Sequence, residues 1–387
     1  MDVPQDTDYN DSRTKRKTDK VEAAMIETVN ELVNAIRQHR LLEPAQVDEL
    51  SELQAKFTAP RALARELMDR DWLTPYQLNQ LFQGRGPDLI LGSYVLVERL
   101  GEGAMGQVFK AKHQRMRRFV ALKLIREDLL SQAHAVERFY QEIQAASQLS
   151  HANIIHPYDA GPIGRTHFFA MEYVRGIDLQ RLVEQSGPLP MDMACAFIHQ
   201  TCLGLQHAFE KGLLHRDLKP TNLSVTKRSY SGEYKSGGSS WPASLSTFNS
   251  LLKIRNLGLT FMQPPAEDWS SPGTNVPLRM ARGTPDYLAP ERARQNPSLD
   301  VRSDLYSLGC TFYFMLTGQV PFPGGTLAEK LRRHESEEPA AIDLMRKDVA
   351  AEVIDMVRKL MAKNPGDRYQ APVEVAAALE TFLKHGS

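Results

Sequence analysis

Near the start of the chain, apolar residues recur at helical spacing. Met25, Val29, Leu32, Val33 and Ile36 follow the i, i+3, i+4, i+7 pattern of an amphipathic helix. Pro44 suits the first turn of a second helix that carries Val47, Leu50 and Leu53, and Pro60 opens a third with Leu63 and Leu67. The clearest start is Thr74-Pro75-Tyr76-Gln77. It sets a hydroxyl at the cap, proline at the first helical position and Gln at the reciprocal capping position. Gly84 and Gly86 end that segment. The pattern predicts a small helical domain over residues 21–86, with Trp72, Leu78, Leu81 and Phe82 in or near its core. From Ser93 onward the period shortens, and 94–100, 106–111 and 119–125 read as short β-rich runs. The longest apolar run, 306–316, is well short of the ~20 residues that span a bilayer.

Composition excludes several classes of function. Lys+Arg and Asp+Glu both number 47, so the net charge is zero and no long-range attraction to nucleic acid or anionic membrane is implied. Three cysteines, Cys195, Cys202 and Cys310, cannot make a disulfide framework, and the first two read as core packing. Residues 1–20 mix Asp2, Asp6, Asp8 and Asp11 with Arg13, Lys15, Arg16, Lys17 and Lys20. They hold almost no apolar side chains, which predicts a disordered tail. No apolar region there resembles a secretion signal. The expectation is a cytoplasmic protein with no membrane segment and no nucleic-acid partner.

Candidate chemistry begins at Gly101-Glu-Gly103-Ala-Met-Gly106-Gln-Val108. Glycines let backbone approach phosphates with no Cβ in the way. Such a loop also opens dinucleotide-binding folds, but here it sits between β-rich runs rather than before a helix. Lys123, in Val120-Ala-Leu-Lys123, is a cation suited to the α- and β-phosphates. It needs a carboxylate to hold its ammonium, and Glu142 lies on a predicted helix at a suitable distance. His215-Arg216-Asp217-Leu218-Lys219-Pro220-Thr221-Asn222, then Asn256-Leu257-Gly258, then Ala289-Pro290-Glu291 follow in that order. With these motifs in sequence, the chain resembles the eukaryotic-type Ser/Thr protein kinases, including those found in bacteria, over about residues 92–384.

The resemblance implies an α+β, bilobal kinase fold preceded by the small helical domain. A small antiparallel β lobe with one helix would span about 92–174 and a mostly helical large lobe about 175–384, with ATP in the cleft between them. Kinases join the two strands after the catalytic loop with a short hairpin. The Ser/Gly-rich stretch 227–250 is therefore expected as a surface insertion. Glu172 to Val174 correspond to the hinge that hydrogen-bonds adenine, and Met171 to the residue guarding the back pocket. Leu100, Gly101, Gly103, Gly106, Val108, Ala121 and Lys123 correspond to the remaining nucleotide-contacting positions. Asp217 would orient the substrate hydroxyl and accept its proton, Lys219 would neutralise the transferring phosphoryl group, and Asn222 would hold Mg²⁺. Thr284, in Gly283-Thr284-Pro285, would hydrogen-bond to Asp217 and Lys219. Together with Lys219 it implies a protein Ser/Thr hydroxyl as acceptor. Asp304 corresponds to a carboxylate that braces the catalytic loop, and Glu291 with Arg368 to a buried ion pair. Arg216 beside Asp217 is similar to kinases whose activation segment responds to phosphorylation, and Ser270, Ser271 and Thr274 lie in that segment.

One position departs from the family. Asn256 stands where kinases carry the aspartate that holds Mg²⁺ against the ATP phosphates. Mg²⁺ prefers hard anionic oxygens, and an amide oxygen is neutral. A unit-charge pair near 4 Å is worth on the order of 4 kcal/mol at an effective dielectric of about 20. Loss of all of it in the transition state costs about three decades of rate. The expectation is a Ser/Thr kinase using ATP and Mg²⁺, with Mn²⁺ as an alternative, and with metal binding and activity weakened by Asn256. The alternative is a pseudokinase, an ATP-binding or scaffolding signalling module. Arg255 adds a positive charge beside the lost negative one. It is expected either to pair with ATP phosphates in partial replacement of the metal or to pair locally. A third expectation makes the 21–86 domain an adaptor that binds a protein partner or dimerises.

Overall fold

The computed structural model describes residues 26–103, 105–130, 134–164, 166–227, 250–257, 285–293 and 300–385. The expected tail 1–20, Gly258, Ser270, Ser271, Thr274, Gly283, Thr284 and the interior of the 227–250 stretch lie outside the described residues. Contacts divide the chain into two units that meet between Glu98 and Arg99.

The first unit holds four helices, α1 (Val29–Gln38), α2 (Pro44–Lys56), α3 (Pro60–Asp69) and α4 (Pro75–Phe82). Thr28 and Glu31 form a reciprocal capping box on α1, and Thr74 and Gln77 form the one predicted on α4. Pro44, Pro60 and Pro75 each open a helix where their missing N–H costs nothing. Val29, Leu32, Val33 and Ile36 are buried with Leu50, Leu63, Leu67 and Leu81, so the helical stripe in the sequence is the core. Trp72 lies at the edge of this core. The chain leaves α3 through Asp71 at φ 55°, and the turn sends Leu73 inward, 3% exposed. Trp72 stays half-buried, with the Arg70 guanidinium 5.3 Å from its ring centroid. Strands β1 (Ile90–Leu91) and β2 (Tyr94–Gly103) follow, paired antiparallel. Gln77 is buried because its Nε2 donates to the Leu96 carbonyl at 2.9 Å.

In the second unit, β3 (Gly106–His113), β4 (Arg118–Ile125), α5 (Ala135–Ser147), β5 (Pro157–Ile163) and β6 (Thr166–Glu172) come first. The strands hydrogen-bond in the order β3-β4-β6-β5, all antiparallel. Next come β7 (Gly176–Asp178), α6 (Leu179–Ser186), α7 (Met191–Glu210), β8 (Leu223–Lys227) and β9 (Ser250–Ile254), with a second sheet ordered β7-β8-β9. Strands β8 and β9 stay in register up to the pair Lys227↔Ser250. The rest is helical: α8 (Pro290–Ala293), α9 (Val301–Thr317), α10 (Leu327–Ser336), α11 (Ile342–Met345), α12 (Ala351–Leu360) and α13 (Pro372–His385). A β-rich part with one long helix thus precedes a mostly helical part, the α+β arrangement expected. Helix α9 contains the apolar run 306–316 and is buried on nearly every side, as a helix apolar all round must be. Cys195, Cys202 and Cys310 are free thiols inside this core. Among the described residues, no helix is long and apolar enough to cross a membrane.

Candidate active site

Register builds the first wall of the site. Lys123 on β4 lies opposite Val108 on β3 and Phe169 on β6, and Ala121 lies opposite Met171. Directly opposed and alternate residues share one face of a sheet, so Val108, Ala121, Lys123 and Met171 are brought together. Gly106 is required by the backbone: at φ 136°, a Cβ there would lie 1.9 Å from the Leu124 carbonyl oxygen. Gly101 and Gly103 are different, since a Cβ on either would meet nothing within 4 Å. Protein packing does not demand them, which fits a backbone kept bare for a ligand. Leu100 is exposed beside them. Behind Met171 lies an apolar hollow lined by Ala146, Leu149, Ile154, Phe169 and Leu257 and bordered by Asn256. At the hinge, Glu172 is tied by its carboxylate to Lys253 at 2.8 Å. The Val174 main chain hydrogen-bonds to nothing among the described residues, leaving a donor and an acceptor.

Lys123 is only 6% exposed, and its Nζ lies 2.8 Å from the Met105 Sδ of the glycine loop. Among the described residues it makes no ion pair, so this conformation does not join it to Glu142, half-buried on α5. Burial, aided by the Arg255 charge and opposed by Asp217, lowers its ammonium to about 8.

The loop that carries Asp217 is braced at three successive peptides. Asp304, on the first turn of α9, accepts from the main-chain N–H of His215 at 2.7 Å and of Arg216 at 2.8 Å. Those two bonds hold Arg216 at φ 63°, a left-handed conformation costly for a long side chain. The His215 Nε2 meets the Arg255 carbonyl at 3.0 Å, and its Nδ1 accepts from the Asp217 N–H at 3.2 Å. Burial pushes the imidazole below its ordinary range, which matches a neutral ring that donates on one side and accepts on the other. Asp217 is then held by Lys219 Nζ at 3.0 Å and Asn222 Nδ2 at 3.1 Å, both on Oδ2. Away from the cleft, Arg368 grips Glu291 with two bonds of 2.8 and 2.9 Å, and the carbonyls of Ala362, Lys363 and Arg302 take its remaining donors. Burial would raise Glu291, but the bonds from Arg368 and Ser303 hold its carboxyl below the usual range.

The floor is different. Asn256 stands at φ 57°, a region asparagine tolerates, and its Nδ2 donates to the Asn222 Oδ1 at 2.9 Å. Asn222 meanwhile donates to the Asp217 carbonyl at 2.7 Å as well as to its carboxylate. The two side chains expected to hold Mg²⁺ are therefore amides bonded to each other, and the nearest carboxylate oxygen is already shared between two donors. Among the described residues, no cluster of three His, Cys, Asp or Glu suits a metal. This donor set does not fit Mg²⁺, whose ligands are anionic oxygens and water.

Arg255 leaves β9 with its N–H on the Asn222 carbonyl at 2.8 Å, and its Nη1 reaches over β8 to the Ser224 Oγ at 3.4 Å. Ser224 is paired across the sheet with Asp178, which accepts from the Arg181 N–H as the cap of α6. Burial lowers the Arg255 guanidinium, Asp178 opposes that shift, and Arg181 adds to it. Ser224 and Asp178 were absent from the expected site. Their signals were a polar residue between apolar Leu223 and Val225, and a carboxylate four positions past Val174 that also reads as a helix cap. Arg292 on α8 was missed too; burial lowers its guanidinium, and Asp304 and Asp217 are carboxylates that act on it.

The protein kinase domain profile matches residues 94–379. A Ser/Thr protein kinase, PknB, of Mycolicibacterium smegmatis is 34% identical over 298 residues, covering 76% of this chain and 43% of its own. PknB of Mycobacterium tuberculosis is 33% identical over the same length and shares. The chain therefore spans less than half the length of these relatives. The crystal structure of the M. tuberculosis PknI kinase domain superposes with a TM-score of 0.55 at 23% identity, covering 76% of this chain and 97% of that one.

Proposed function

Because the chain belongs to the protein kinase family, with bacterial Ser/Thr kinases among its relatives, we propose that it transfers the γ-phosphoryl group of ATP to a protein Ser or Thr hydroxyl, at a rate reduced by the neutral side chain of Asn256. Asp217 carries this reading. Its Oδ2 is held by Lys219 and Asn222 and its main chain by His215, the posture a base needs toward an incoming hydroxyl. The carboxylate accepts the hydroxyl proton as that oxygen bonds to phosphorus, the bond to the departing ADP oxygen breaks, and Lys219 offsets charge on the phosphoryl group. Lys123 supplies a cation for the remaining phosphates. Protein kinases generally use ATP with Mg²⁺, which neutralises charge between the phosphates. The amide pair at 222 and 256 makes poor provision for that ion, which supports a reduced rate of transfer.

A second reading is favoured by the same amide pair: a nucleotide-binding pseudokinase that signals without transfer. Transfer from labelled ATP, with Mg²⁺ or Mn²⁺, separates the two in wild type, Asp217→Ala and Asn256→Asp. Wild-type transfer that disappears in Asp217→Ala establishes the kinase. Silence from wild type, with activity gained in Asn256→Asp, establishes the pseudokinase.

A further inference from the structure

The cleft has more positive charge than its own carboxylates answer. Lys123 is buried, and among the described residues its ammonium has a thioether as its one hydrogen-bond partner. Arg255 has five donors, yet among the described residues its guanidinium makes one hydrogen bond, at the long limit of 3.4 Å, and no ion pair. Asp178, the carboxylate nearest in the sheet register, is shared with Arg181 through a main-chain bond and a 3.7 Å ion pair. Where a kinase would place the negative charge that calls in a metal, this chain has the Asn256 amide, already spent on Asn222. An aspartate there would set two oxygens facing each other and need a cation between them. The amide instead closes the gap with its own N–H.

Such a site suits the metal-free triphosphate, which carries two more negative charges than its magnesium complex. We propose that the cleft binds its nucleotide as the metal-free polyphosphate, with Lys123 and Arg255 as the two cations that hold it and Arg255 standing in for the missing ion. The inference rests on the kinase-family reading of the cleft as a nucleotide site. Arg255 is placed for it: its main chain is anchored to Asn222, and freeing its guanidinium breaks a single long bond. The open backbone at Gly101 and Gly103 leaves room for phosphates above.

Calorimetric titration of the full chain with ATP, in EDTA and in excess Mg²⁺, tests the proposal. Wild type should bind ATP in EDTA at least as tightly as with Mg²⁺. Arg255→Gln should lose about tenfold or more in EDTA, Arg255→Lys should lose less, and AMP, with no β-phosphate, should be insensitive to either change. Asn256→Asp should shift the preference toward Mg²⁺, and it decides the matter if the Arg255 variants do not fold. The proposal is overturned if Mg²⁺ tightens wild-type binding, if Arg255→Gln binds in EDTA like wild type, or if ATP does not bind in EDTA. The kinase reading fails separately: metal-free binding without transfer sinks that reading alone, and Mg²⁺-dependent binding with transfer sinks this proposal alone.

Discussion

The Asp217 loop and the floor strand are joined by hydrogen bonds at His215 and at Asn222, yet they are built on opposite principles. On the loop side, each charged group that would touch an acceptor substrate has a partner that fixes its position: Asp304 under the main chain, His215 behind Asp217, Lys219 and Asn222 on its carboxylate. On the floor side, the metal-binding carboxylate has become an amide, and a cation has appeared next to it. The difference separates two jobs that kinases perform together. Holding a base needs neutral rings and braced peptides, and survives without an ion. Holding phosphates needs positive charge, and that charge need not come from a metal.

The contrast breaks most sharply at Asp217. Asp217→Asn is expected to lower kcat by about 10²- to 10⁴-fold with KM for ATP unchanged, measured by steady-state transfer. Equal loss in KM would mean that the loop also binds nucleotide. Asp304→Ala comes next, since it leaves one buried and one part-buried main-chain donor unpaired, the buried one worth about 1–3 kcal/mol, and should appear as a lower urea midpoint.

Among the groups that face the phosphates, the next expected effect is of protonation. The Lys123 ammonium is held near 8 by burial, below the 10.5 of an exposed lysine. Between those values the unfolded chain binds more protons, so the wild type gains stability as pH rises through that window. Lys123→Met should therefore be the more stable protein below pH 8, by on the order of 3 kcal/mol, with the excess fading as pH approaches 10.5. Thermal melts across that range test it, and an excess that does not change with pH would assign the effect to packing alone. Smallest is Asn256→Asp in EDTA, where losing the donor to Asn222 should cost about 1–3 kcal/mol, with recovery on adding Mg²⁺.

The motifs were legible because each is short and local, and the fold follows from them. The β-rich run 119–125, with Val-Ala-Leu-Lys inside it, placed Lys123 on a strand, and the Thr74 capping box was readable letter by letter. Arg255 was open to two outcomes because its direction depends on strand order: only with β8 between β7 and β9 does its side chain meet Ser224 and face Asp178. The amide bond between residues 222 and 256 joins positions 34 apart, and no spacing rule encodes it. Lys123 resting on Met105 rather than Glu142 reflects where the glycine loop and α5 sit in this conformation, a choice between two packings of the same residues. Leu73 could not be read as a core residue from helical periodicity, which stops at the turn that Asp71 makes.

The hairpin end at Lys227 and Ser250 has a separate consequence for how this chain can vary. Because the two residues oppose each other in register, the chain departs and returns within one strand spacing, about 5 Å. Each doubling of length between such fixed points costs only about 0.6 kcal/mol in closure entropy. The hairpin is thus a socket, where lineages can exchange whole peptides of different length and composition, or an experimenter can seat a reporter protein, without re-threading the strands on either side.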